Sequence, residues 1–203
     1  MKNKTILALV AGFVVGTVWL VGIRFVTYKN DHVHYHANFA LFINGQRDEF
    51  DNFTFYEEVQ SCGTDEHNDP KTRVHMHDNV NHTVHVHDNG ATWGHFFANL
   101  GYTLGNDLIK TDSGSYIDGV SENKLMFILN GKEEEAIANR TIQSEDALLI
   151  SYGNEDSSVL NQRFGAITKD AGEYNQKNDP ASCAGSKPLT TAERLKKAIG
   201  IGD

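Results

Sequence analysis

The stretch RVHMHDNVNHTVHVHDNG, residues 73–90, alternates histidine with an apolar residue twice over. Val74 and Met76 share one parity and His75 and His77 the other; Val84 and Val86 repeat the pattern against His85 and His87. An earlier run, HVHYHANFALFI at 32–43, does the same, with Val33, Tyr35, Ala37, Phe39, Leu41 and Ile43 set against His32, His34, His36 and Asn38. A period of two does not suit an amphipathic helix. It suits strands, where successive side chains point to opposite faces. Each run therefore offers an apolar face to a core and an imidazole face to a common surface or cleft. Eight of the ten histidines lie in these runs, counting His82 in the turn between the two His-x-His-Asp-Asn copies. His67 and His95 stand apart and read as structural.

The rest of the chain extends this frame. Asn44-Gly45 is a hairpin signal, and QRDEFDNFTF reads as the return strand. A second hairpin turns at 79–81 between the two histidine copies. ATWGHFFANLG is a short helix capped by Thr92, with Trp93, Phe96, Phe97 and Leu100 on its apolar face and Gly101 at its end. Residues 102–122 read as a loop; its TDSGSYIDG segment has oxygen donors but not the EF-hand spacing. KLMFILNGKEEEAI is a third hairpin around Asn130-Gly131, and ALLISYG is the last strand. Residues 156–175 have helical spacing through Val159, Leu160, Phe164, Ile167 and Ala171. LTTAERLKKAIG is a final helix capped by Thr190. This order predicts an α+β fold with a mainly antiparallel sheet packed on a short helix. The closing segment LNGKEEEAIANRTIQSEDALLISYG resembles the second half of ubiquitin-like β-grasp domains.

Residues 5–23, TILALVAGFVVGTVWLVGI, carry no charge. In a helix they reach about 28 Å, close to the hydrocarbon thickness of a bilayer. No small-x-small cleavage site follows, so the expectation is an uncleaved signal anchor rather than a removed signal. Lys2 and Lys4 precede the span and Arg24 and Lys29 follow it, so flanking charge does not orient it. A long domain behind a short tail is read as exported. The expected organisation is a cytoplasmic tail at 1–4, a transmembrane anchor at 5–23, a connector at 24–31, an extracytoplasmic histidine-rich domain at 32–153 and a helical extension at 154–203.

Charge excludes one class of partner. The chain has 27 acidic against 18 basic residues, a net charge of −9, which disfavours nucleic acid. The only two cysteines, Cys62 and Cys183, are expected to pair as a disulfide in an exported domain. Without a Cys-x-x-Cys there is no support for a thiol–disulfide isomerase.

Imidazole is the commonest side-chain metal ligand. His-x-His on a strand puts two rings on one face, and neighbouring strands lie about 4.8 Å apart, so two such pairs can converge on one cation. His75, His77, His85 and His87 are the expected ligands, with His32, His34 and His36 as further donors. Asp78 and Asp88 are candidate carboxylates that orient the ligand rings. Imidazole donors suit zinc, copper and nickel, and do not choose between them; zinc or copper is the expected ion. Met76 points away from the histidine face, which disfavours a Met/His copper(I) site.

On HVHYHANFALFINGQ, SCGTDEH, RVHMHDNVNHTVHVHDNGATWGHFF and NDPASCAG, the chain resembles a group of single-pass exported proteins from small-genome, host-associated candidate bacterial lineages. That group has no assigned activity, so the resemblance implies localisation more than function. The main reading is a membrane-anchored metal-binding protein. Two others stay open. One is a metal-dependent hydratase or hydrolase with a three-histidine site; a His-x-His strand beside a third histidine resembles the metal site of α-type carbonic anhydrases, without the rest of that family or a His-Glu-x-x-His motif. The other is an envelope interaction protein whose histidines sense pH.

Overall fold

The structure is a computed structural model that describes residues 2–27, 32–56, 70–177 and 190–200. The chain divides into two compact units, His32–Gly185 and, separately, Met1–Asp31 with Ser186–Asp203. The larger unit is α+β. Its main sheet contains β1 (His32–Ile43), β2 (Gln46–Arg47), β3 (Val74–His75), β4 (Thr83–Asp88), β8 (Lys124–Leu129), β9 (Lys132–Glu134) and β10 (Ala147–Gly153). The order is β3-β4-β1-β10-β8-β9, with β2 paired to the far end of β1. β1 and β10 run parallel, Asn38 opposite Ala147 through Ile43 opposite Tyr152, and the other pairs are antiparallel.

Both Asn-Gly signals make the turns they predict. Asn44 and Gly45, and Asn130 and Gly131, all have positive φ, as a type I′ hairpin requires. The third turn sits one residue earlier than its sequence suggests. Asp78 and Asn79 have positive φ, and the Val80 N–H donates to the His77 carbonyl at 3.1 Å.

The apolar faces of β1, β3 and β4 build the core. Phe39, Leu41, Val74, Met76, Val84 and Val86 are buried against α2 (Trp93–Asn99), which contributes Trp93, Phe96 and Phe97. Thr92 and His95 form a reciprocal cap at the start of α2. The opposite face of the sheet carries a second core, where Ala40, Ile128 and Leu149 meet Leu160 and Ile167.

Three expectations need correction. The return strand after Gly45 shortens to β2, because the chain leaves the sheet to bury Phe50 among Phe39, Phe55 and Tyr102. Residues 102–122 are not a bare loop. They contain a separate antiparallel sheet of β5 (Thr103–Leu104), β6 (Leu108–Thr111) and β7 (Gly114–Ile117), which buries Ile109 in the main core. The single helix expected over 156–175 is two: α3 (Ser157–Gly165), capped by the Asp156 side chain, and α4 (Ala171–Gln176). The break leaves Asp170 free of helical geometry to accept hydrogen bonds from β1 and β4. Cys62, Cys183 and His67 lie outside the described residues.

The smaller unit contains α1 (Lys2–Thr27) and α5 (Thr191–Ala198). α1 is long and apolar enough to cross a membrane, and its large apolar side chains are exposed from Ile6 to Val26.

Phe39 is fully buried and touches Phe50, Phe96 and Phe97. Phe39→Ala is expected to cost about 3–5 kcal/mol. The loss is read as a lower urea midpoint in near-ultraviolet circular dichroism of the detergent-solubilised chain.

Candidate metal centre

The pleat of β1 sends His34 and His36 to the face opposite Phe39, and β3 and β4 send His75, His85 and His87 to the same face. Pairing aligns them: His36 lies opposite His85, and His85 opposite His75, so one row crosses three strands. A register shift in β1 between His32 and Tyr35 lets the strand bend where His34 sits. His77 lies two residues beyond β3, ahead of the turn at Asp78.

Six rings therefore form one cluster, with His85 at its centre. Ring centroids lie 4.1 Å from His85 to His36, 3.4 Å to His77, and 6.0 Å to both His34 and His75. His87 stacks on His34 at 5.1 Å and on His75 at 5.2 Å. His36, His75, His77 and His85 are buried, while His34 and His87 are partly buried at the edge. One nitrogen from each of His34, His85 and His87 lies within 4.8 Å of the others, so this group could hold a metal ion. Two nitrogens sharing a tetrahedral Zn2+ at 2.0–2.1 Å stand about 3.3 Å apart. The ligand nitrogens need close by at most about 1.5 Å.

Neighbouring groups set the ring orientations. The His75 Nδ1–H donates to the Lys71 carbonyl at 2.7 Å, and the His77 Nδ1–H to Asp78 Oδ2 at 2.7 Å. Asn175 Oδ1 accepts both the backbone N–H and the ring Nδ1–H of His36, each at 2.8 Å. In neutral His36, Nε2 is then an acceptor, and the His85 Nδ1–H donates to it at 2.9 Å. His85 is left with Nε2 as its lone-pair nitrogen. Holding one ring nitrogen by an outer acceptor is how proteins orient metal-binding imidazoles.

Two buried nitrogens, His77 Nε2 and His87 Nε2, have no hydrogen-bond partner among the described residues. An unsatisfied buried polar atom costs about 1–3 kcal/mol. A cation in the cluster would relieve that cost at His87 directly, so the donor set fits a metal.

Electrostatics point the same way. Burial, then the adjacent imidazoles led by His36, holds His85 far below the ordinary histidine range. Burial, then His75 and His34, pushes His87 down to about 3. Both rings stay in the neutral form that binds metals.

The two sequence copies serve different ends. Asp78 accepts from His77, but Asp88 accepts from Arg73 Nε at 2.6 Å and from the Gly90 N–H at 2.6 Å. Asp88 contacts no ring of the cluster in these hydrogen bonds; it ties β4 to the residue before β3. His32 begins β1 opposite Asp88. His82 stands apart from the six rings and donates from Nε2 to Asp170 at 3.0 Å.

Sequence reasoning misses the cover. Tyr174 packs on His36 and His85, with centroids 5.5 and 6.3 Å away, and Asn175 holds His36. Asp170 anchors this segment by accepting from Asn38 Nδ2 at 2.8 Å, Thr83 Oγ1 at 3.2 Å and His82. Although burial pushes the Asp170 carboxyl up, the hydrogen bonds from His82, Asn38 and Thr83 hold it below its ordinary value. These partners are 87 to 139 residues apart in the chain, and no local motif announces them. Comparison with protein-family models, with curated proteins and with solved structures finds no match.

The neutral histidines also set a pH dependence. Below about pH 6.5 the unfolded chain protonates both positions while the folded chain does not, so protons favour unfolding. Stability of the metal-free protein should therefore fall as pH drops from about 6.5 to about 4. The slope is roughly 1.4 kcal/mol per pH unit for each ring. Urea midpoints measured in chelator across that range check this, and His87→Gln should flatten the slope.

Proposed function

We propose that the protein is a membrane-anchored, extracytoplasmic metal-binding protein that holds Zn2+ or Cu2+ on His34, His85 and His87. His75 and His77 supply further donors, and His36 orients His85 by accepting the His85 Nδ1–H at its Nε2. The observation that carries this reading is the convergence of three histidines from two neighbouring strands, two of them held neutral by burial and one with an unsatisfied buried nitrogen. An all-imidazole donor set suits both metals. Retention in the membrane is supported by the length and apolarity of α1; export is read from the long domain that follows the span.

For the fold, the same reading includes a β-grasp-like arrangement. Its support is the parallel pairing of β1 with β10 at the centre of the sheet, the β8–β9 hairpin beside β10, and α2 on one face.

The test is calorimetric titration of Zn2+ and of Cu2+ into wild-type protein, H34A/H87A and H82A. Removing an outer partner of a ligand typically costs 10–100-fold in affinity. Loss of two direct donors is therefore expected to weaken binding by at least about 100-fold, with unchanged far-ultraviolet circular dichroism. His82→Ala should leave affinity within about twofold, since that ring lies outside the group. Equal affinity in wild type and H34A/H87A would overturn the assignment.

Three donors leave a four-coordinate ion one open position, and His34 and His87 are partly exposed. This supports a second reading, hydration or hydrolysis by metal-activated water. It requires turnover of CO2 or an activated ester by zinc-loaded protein that H34A/H87A loses; tight binding without turnover leaves the first reading alone.

A further inference from the structure

The helix α5, TAERLKKA, belongs to the same compact unit as α1. It sits at the C-terminal end of that apolar helix. Arg194 Nη2 donates to the Phe25 carbonyl at 2.9 Å, and the guanidinium lies 5.0 Å from the centroid of the Phe25 ring. That carbonyl is one of the last four of α1, which have no partner within the helix. The cation also meets the negative end of the helix dipole. A group that caps the end of a bilayer-spanning helix lies at headgroup depth.

The faces of α5 match that depth. Ala198 is buried, whereas Leu195 and Ile199, one turn apart on one face, are 49% and 48% exposed. Lys196 is exposed in the last turn with Lys197 beside it, and Arg24 is exposed in the last turn of α1. Apolar and basic side chains on one short helix, held at the mouth of a span, are the composition of a helix that lies in a membrane interface. Lysine stems can run along apolar surface while their ammonium groups reach the phosphates.

We propose that α5 lies in the headgroup layer of the bilayer that α1 spans, with Leu195 and Ile199 in the acyl boundary and Arg24, Lys196 and Lys197 on the phosphates of anionic lipids. This rests on the reading of α1 as a retained span and is independent of the histidine cluster. Each basic residue near an anionic surface favours association by about fivefold.

The chain has two tryptophans, Trp19, exposed on α1, and Trp93, fully buried in the core. This allows a direct test with full-length protein, W19F and W19F/L195W, reconstituted in vesicles of phosphatidylcholine with or without phosphatidylglycerol. Either lipid carries brominated acyl chains, which quench indoles they touch. The W19F protein, which keeps only Trp93, should be unquenched, and its emission also reports that the core is folded. The added indole of W19F/L195W should be quenched and blue-shifted. Brominated phosphatidylglycerol should quench it more than brominated phosphatidylcholine at equal mole fraction, and K196Q/K197Q should remove the difference. Quenching of Trp19 in wild type, with no quenching of the L195W indole, would overturn the proposal and leave the span standing. No quenching of either would overturn the span and the proposal with it. Equal quenching by both lipids before the lysines are changed would overturn the assignment of anionic headgroups.

Discussion

Strand β1 has to satisfy two faces at once, and the rest of the larger unit follows from how it does so. One face, Ala37, Phe39 and Leu41, faces the main core. The other changes character along its length, from His34 and His36 through Asn38 to Ala40 and Phe42. Paired in parallel with β10 on one side and antiparallel with β4 on the other, β1 occupies an interior position of the sheet. A strand in that position needs both faces covered. The apolar end is covered by Leu160 and Ile167, and the histidine end by the segment that carries Asp170, Tyr174 and Asn175. Asn38 joins the two regions: its Nδ2 donates to Asp170 and Thr83, and its Oδ1 accepts the Ala171 N–H at 2.9 Å.

Burying six imidazoles together is costly unless their polar atoms are used. The fold uses one side of several rings for hydrogen bonds to the Lys71 carbonyl, Asp78, Asn175 and a neighbouring histidine. Protonation would place like charges on rings whose centroids lie 3.4 to 6.0 Å apart, so burial and mutual repulsion both favour the neutral form. What the hydrogen bonds leave over, including His87 Nε2, is the lone-pair chemistry that a transition-metal ion takes up.

The strands and turns were legible because their signals are local. Period-two alternation marks β1 and β4, and Asn-Gly places two hairpins through its tolerance of positive φ. The capping Thr92 and the Trp93, Phe96 and Phe97 face mark α2. Where local signal and packing compete, the sequence misleads. The helical spacing of 156–175 runs on past Gly165, yet the chain breaks there because Asp170 and Asn175 are needed at β1 and β4. Residues 102–122, rich in glycine and aspartate, look like a loop until Ile109 finds a place in the core.

By itself, the sequence determined that the histidines would share one face of a sheet, because a strand cannot place residues of the same parity on opposite sides. It also determined an apolar helix long enough to cross a bilayer. Which rings converge was decided only by the tertiary structure. The His34, His85 and His87 group depends on the register between β1 and β4 and on the irregularity near His34, which are long-range properties of strand pairing. The same holds for the divergent roles of Asp78 and Asp88, identical in sequence context: one follows a short strand into a tight turn beside His77, and the other faces Arg73 across the neighbouring strand. A repeated motif carries the same local geometry only until its two copies meet different neighbours.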